Sequence, residues 1–177
     1  PLARVIANQS TTQGTEIVVE ALSSVARTLN FVFTVRDNYT GAGQTATDGM
    51  TVTVNGTAGP FLVSEPNTAV SWTVGTNQNV TWNVAGTDVN GINAKFVDIY
   101  LSTDGGFTYP TTLATGVPNT GLATVTVPGI NSTTARVMVR GAGNVFFDIS
   151  NANFTIAPAF TSNTPISGDD KLTASPN

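Results

Sequence analysis

Side chains alternate between apolar and polar over short runs from one end of this chain to the other, and no window carries the i, i+3, i+4, i+7 spacing of an amphipathic helix. The pattern predicts an all-β protein of strands joined by turns. Glu16–Glu20, Leu29–Arg36 and Met50–Val54 read as strands separated by polar or glycine-rich stretches, with Arg4–Asn8 a weaker strand. Four strands fall short of the roughly seven that a typical immunoglobulin-like sandwich uses. Residues 1–57 therefore read as a partial β-sandwich, the last part of a domain whose beginning lies upstream of Pro1.

The segment Asn55-Gly56-Thr57-Ala58-Gly59-Pro60 has the composition of a hand-over between domains. Beyond it, residues 58–157 supply a full set of strands, at 61–63, 69–74, 78–84, 95–102, 111–114, 122–127, 135–140, 145–149 and 153–156. Because successive strand side chains point to opposite faces, Val80, Trp82 and Val84 share one face. Val97, Ile99 and Leu101 share another, as do Val125 and Val127. These are the predicted core faces, with Trp82 as an anchor, since a buried Trp removes about 200 Å² from water. Asp104-Gly105-Gly106, Pro118-Asn119-Thr120-Gly121 and Gly141-Ala142-Gly143-Asn144 supply turn residues that tolerate positive φ. The expected architecture is an immunoglobulin/fibronectin-like β-sandwich preceded by a partial β domain, with residues 158–177 a flexible linker rich in Pro, Ser, Thr and Asn.

Composition narrows the chemistry. Of 177 residues 40% are hydrophobic and only 10% charged, the net charge is −4, and no Lys/Arg run exists to neutralise phosphates, so a nucleic-acid partner lacks its electrostatic footprint. The absence of Cys and His removes disulfides, thiolate or imidazole metal ligands, and every triad built on an imidazole base. No apolar run approaches the roughly twenty residues needed to span a bilayer. No serine stands in a nucleophile elbow and no glycine loop is placed to cradle phosphate, so the expectation is a non-enzymatic segment.

Three constellations remain. Ser102-Thr103-Asp104-Gly105-Gly106-Phe107-Thr108-Tyr109 follows the Asp-box pattern Ser-x-Asp-x-Gly-x-Thr-aromatic, in which the carboxylate accepts backbone N–H groups; its first reading is an architectural turn, its second a ligand contact. Asp37, Asn38 and Asp48 are oxygen donors of the kind calcium takes, against the plainer reading of turn capping. Asp88 and Asp98 stand alone. Trp72, Tyr100 and Tyr109 would form a sugar-stacking platform if exposed together, which makes a glycan the ligand of a carbohydrate-binding or adhesin alternative; packing into the fold is the competing reading.

Thr34-Val35-Arg36-Asp37-Asn38, Gly43–Ala46, Met50–Val54, Ala58–Phe61, Trp72–Gly75, Val80–Thr87, Leu101–Gly106 and Phe146–Ile156 together resemble the region that follows the catalytic domain in secreted reprolysin-like zinc metallopeptidases of the Bacteroidetes group. The second half is similar, more weakly, to the β-sandwich of fungal Ser/Thr-rich cell-wall proteins. The ending, Asp169–Asn177, resembles the opening of the sorting domain used by the type IX secretion system. The resemblance implies a secreted or cell-surface location, upstream domains of the same polypeptide and the secretion machinery as partners, and an accessory role. The family's His-Glu-x-x-His motif is absent, so none of its catalytic residues carries over.

Overall fold

The computed structural model describes Ala3, Ile6, Ala7, Ser23 and residues 25–159. The strand predicted at Glu16–Glu20 and the linker beyond residue 159 lie outside the described residues, as does most of Arg4–Asn8, where Ile6 and Ala7 belong to a helical turn closed by the Ala7 N–H donating to the Ala3 carbonyl at 3.0 Å.

The described chain is all-β apart from that turn. Strands β1 (Arg27–Arg36) and β2 (Thr45–Val54) form an antiparallel hairpin. They are followed by β3 (Leu62–Glu65), β4 (Ser71–Thr73), β5 (Asn77–Asn83), β6 (Phe96–Ser102), β7 (Thr111–Pro118), β8 (Leu122–Thr126), β9 (Ser132–Gly141), β10 (Phe147–Ile149) and β11 (Phe154–Ala157). Beyond the hairpin two sheets pack face to face: one in the order β3-β5-β8, the other in the order β4-β11-β9-β6-β7 with β10 also paired to β9. All pairings are antiparallel except that of β11 with β4.

The core is built from the predicted alternation. Val80 and Trp82 of β5, Val97, Ile99 and Leu101 of β6, and Val125 with Val127 are buried, and they meet Ala135, Val137 and Val139 of β9 and Phe154 and Ile156 of β11. Val84 is partly buried against the same cluster. Where a strand cannot pair regularly, a side chain substitutes for backbone: between β10 and β11 the Ser150 hydroxyl accepts the Val137 N–H at 3.1 Å, while the Ser150 N–H donates to the Val137 carbonyl at 2.9 Å. A buried Ser without those partners would be costly.

The sheets are also tied along their edge. Asp148 of β10 accepts the Val63 N–H of β3 at 2.7 Å through Oδ2. Burial raises the pKa of this carboxyl above its ordinary value, outweighing the hydrogen bonds from the Val63 and Ile149 N–H groups that favour the charge. The folded state therefore binds this proton more tightly than the unfolded chain. The stability it confers is complete below the ordinary value of 3.8 and is lost as pH rises from there through the folded value. Asp148→Asn keeps an oxygen for the Val63 N–H and removes the charge. The variant should be more stable than the parent at neutral pH and indistinguishable from it in acid, as checked by urea midpoints between about pH 3 and pH 7.

The hairpin differs from the rest in having no second layer among the described residues. Register places Leu29, Phe31, Phe33 and Val35 opposite Val52, Met50, Asp48 and Ala46, so these residues share one face; Thr28, Asn30, Val32, Thr34 and Arg36 oppose Thr53, Thr51, Gly49, Thr47 and Thr45 on the other. The second face is polar except for Val32, and there Thr51 donates to Asn30 Oδ1 at 3.0 Å. The first is apolar and open, with Phe31 50% and Phe33 72% exposed.

Candidate functional site

The Asp104 turn closes the β6–β7 connection by a concentrated set of hydrogen bonds. Asp104 Oδ1 accepts from the Ser102 hydroxyl at 2.7 Å and from the N–H groups of Phe107 and Thr108, each at 3.0 Å; Oδ2 accepts from the Thr108 hydroxyl at 2.6 Å. The Ser102 oxygen in turn accepts the Gly106 N–H at 2.9 Å. The Thr108 hydroxyl, the Ser102 hydroxyl and the turn's backbone N–H groups all favour the ionised form, holding Asp104 far below the usual carboxylate range. Gly105 and Gly106 have φ of +81° and +100°, the left-handed region in which a side chain would be strained. Every oxygen of the carboxylate is occupied by the turn itself, which is the architectural reading of the motif.

Arg136 of β9 fixes the neighbouring 150–153 turn. Its Nε donates to Asn153 Oδ1 at 2.7 Å and one terminal nitrogen to the Ser150 carbonyl at 2.8 Å. Between this group and the Asp104 turn lies Tyr109, whose hydroxyl is buried and has no hydrogen-bond partner among the described residues. Burial pushes its phenol pKa up; Arg136 opposes the shift.

The three aromatics read as a stacking platform are not brought together as one. Trp72 is only 4% exposed because its ring packs on Phe154, centroids 4.5 Å apart and tilted by 50°. Tyr109 is partly buried with its polar end inside. Tyr100 lies on the outer side of β6, but its ring is covered by Arg140, whose guanidinium carbon is 5.2 Å from the centroid. Arg140 also donates to the Tyr100 hydroxyl at 3.0 Å and lies 3.8 Å from Asp98 Oδ2. The other Asp98 oxygen accepts the Gly116 N–H at 3.0 Å, so this carboxylate serves to join β6 to β7.

The proposed calcium donors are likewise separated. Asp48 faces Phe33 across the hairpin, and Asp37 lies four positions further along, about 13 Å away at 3.3 Å per residue. Asp37 instead closes the hairpin loop: its two oxygens accept the Tyr39 N–H at 3.2 Å and the Gln44 N–H at 3.1 Å. Asn38 supplies the positive φ of 53° that this bend requires, and Asp48 accepts the adjacent Gly49 N–H at 3.0 Å. Asp37 and Asn38 thus shape the hairpin loop, while Asp48 lies within β2. Among the described residues no group of three or more acidic side chains gathers as a metal site.

No protein-family model matches the chain, and no curated protein matches it. One groove of about 510 Å³ lies beside the β3–β4 crossover, lined by Glu65, Asn67, Trp72, Asn77, Gln78 and Asn79 among others. Asn77 and Asn79 spend their Oδ1 atoms on the hydroxyls of Thr126 and Thr124, at 3.0 and 2.9 Å.

Two residues important to the site were not singled out by sequence reasoning. Arg136 sat in a strand pattern like any outward-facing polar residue. Asn119 was read only as a turn former, yet it is buried and hydrogen-bonded on both ends of its amide. Nothing local to either residue reports partners that are 14 or more positions away.

Proposed function

We propose that this chain is a non-catalytic accessory region of a secreted multidomain protein, in which an immunoglobulin-like sandwich follows the terminal part of another β domain. The observation that carries the reading is the open apolar face of the hairpin. An isolated two-stranded hairpin is marginal in water, and a contiguous exposed apolar patch marks a surface made to be covered. Strand alternation with a mostly polar reverse face is the pattern of one sheet of a sandwich whose opposing sheet belongs to the same parent polypeptide.

The second domain supports the immunoglobulin-like reading through its strand order. With β3, β5 and β8 as strands A, B and E, the opposite sheet carries the later strands G, F and C as β11, β9 and β6. Such modules hold neighbouring domains in position. The resemblance noted in the sequence extends the proposal to a parent that is a zinc metallopeptidase exported by the type IX system.

Deleting residues 27–157 from the full-length parent tests the role directly: reduced secretion, stability or substrate range is expected, and an unchanged parent on all three counts would refute it. A point substitution tests the covered face. Phe33→Lys should leave the melting of the 177-residue chain within about 0.5 kcal/mol of the original, as for any exposed site. In the parent the same change should lower the melting temperature by several degrees, because there it deletes a buried ring and desolvates a charge that only Asp48 opposite can offset.

A further inference from the structure

The Asp104 turn and Arg136 enclose a feature that neither closes the β6–β7 connection nor fills the core. The Ile6 carbonyl accepts a hydrogen bond from Arg136 at 3.1 Å, although 130 positions separate the two. Arg136 is already held by Asn153 and the Ser150 carbonyl, so it meets Ile6 as a fixed donor. The Ile6 side chain lies against Gly106: a Cβ added there would stand 3.3 Å from Ile6 Cγ1, 3.6 Å from Ile6 Cδ1 and 3.2 Å from the Tyr109 hydroxyl. Gly106 is buried. Its missing side chain leaves the space that Ile6 Cγ1 and Cδ1 approach.

The same chain touches the sandwich a second time at the other end of β6. The Gly59 N–H donates to the Ala85 carbonyl at 2.8 Å, and the Asn55 side-chain amide donates to the Asn90 carbonyl. The loop carrying Ala85 and Asn90 precedes β6, and the Asp104 turn follows it. Seven residues of strand therefore separate the two contacts, about 23 Å at 3.3 Å per residue.

We propose that Gly106, Tyr109 and Arg136 form a docking site for the chain's own Ile6 turn, so that a segment preceding the hairpin in sequence and the segment that follows it each meet the sandwich, at opposite ends of β6. The ligand chemistry is an aliphatic side chain presented beside a free backbone carbonyl, with a fixed guanidinium to meet the carbonyl and a glycine floor to meet the methyls. This mount is independent of the parent's activity. It goes beyond the accessory reading by stating where the start of the chain is fastened to the sandwich.

Nuclear magnetic resonance on the intact 177-residue chain tests it. The Ile6 δ-methyl should show Overhauser contacts to Gly106 and Tyr109. Ile6→Asp should speed amide exchange at Gly106, whose N–H is held by Ser102, about tenfold through local opening, leave Val80 in the core unaffected, and be reversed by Ile6→Val. An Ile6 methyl at its free-chain shift without such contacts, or Gly106 exchange unchanged in Ile6→Asp, would overturn the proposal. The deletion in the parent reads function rather than contact, so either proposal can fail alone.

Discussion

Trp82→Ala should destabilise the sandwich by about 3–5 kcal/mol, enough to consume much of the 5–15 kcal/mol typical of a domain. The side chain is 4% exposed at the centre of the core, so its removal leaves a cavity that the strands cannot collapse around. It is also the start of a buried polar chain. Trp82 Nε1 donates to Asn119 Oδ1 at 2.8 Å, and the Asn119 amide donates to the Thr87 hydroxyl and the Ala94 carbonyl, both at 3.0 Å. Thr87 passes the chain on to the Val84 carbonyl at 2.7 Å. One network thus ties β5, the loop before β6 and the β7–β8 turn. Trp82→Phe separates the two contributions: it keeps most of the apolar volume but strands the Asn119 oxygen, for an expected cost of about 1–3 kcal/mol. Asn119→Leu leaves the Trp82 N–H and the Ala94 carbonyl without their partner. The double variant Trp82→Phe/Asn119→Leu should cost less than the sum of the singles, because both remove the same bond. Denaturant unfolding of the four proteins measures this. Strict additivity would mean that the network contributes nothing beyond packing.

Phe154→Ala is expected to be about as severe, again about 3–5 kcal/mol, with a different local signature. Phe154 is 1% exposed, and its ring supports Trp72. Its strand, β11, is the only element among those described that joins β4 to the rest of its sheet, parallel on one side and antiparallel to β9 on the other. Loss of the ring removes the floor beneath Trp72 and should free β4 before the remainder unfolds. Two measurements check this. In a Trp82→Phe background Trp72 fluorescence should shift to the red. Amide exchange should also accelerate at Val74, whose N–H donates to the Ala157 carbonyl at 2.9 Å. A global loss of stability with Val74 protected as before would show that β4 is held by other means.

Strand positions were legible wherever alternation was strong. The reading of 95–102 and 122–127 differs from β6 and β8 by one residue each. It was too short for β2, which begins at Thr45 rather than Met50: Asp48 and Gly49 break the alternation, and only pairing with Phe33 and Val32 across the hairpin keeps that stretch extended. It was too short for β7 as well, because Gly116 and Pro118 are poor strand residues that β6 nevertheless holds at its edge. The Asp104 turn was legible because every partner of its carboxylate lies within four residues; its bond to β9, the Gly105 N–H donating to the Thr134 carbonyl, was not. The sugar-stacking and calcium sets were assembled from residue types alone. Trp72 is covered by a residue 82 positions later, Tyr100 by one 40 positions later, and Asp37 and Asp48 are kept apart by a register no composition discloses.

By itself, then, the order of amino acids determined what local rules govern: an all-β chain, the inward faces of its strands, its turns, and a chemistry without thiol or imidazole. Tertiary structure alone decided which side chains meet. It buried Trp72 and Asn119, turned Arg136 toward Ile6, and left the hairpin's apolar face uncovered among the described residues. The reason is range: alternation and turn propensity act over a few bonds, whereas burial and hydrogen-bond satisfaction depend on strands that adjoin in space after long excursions of the chain.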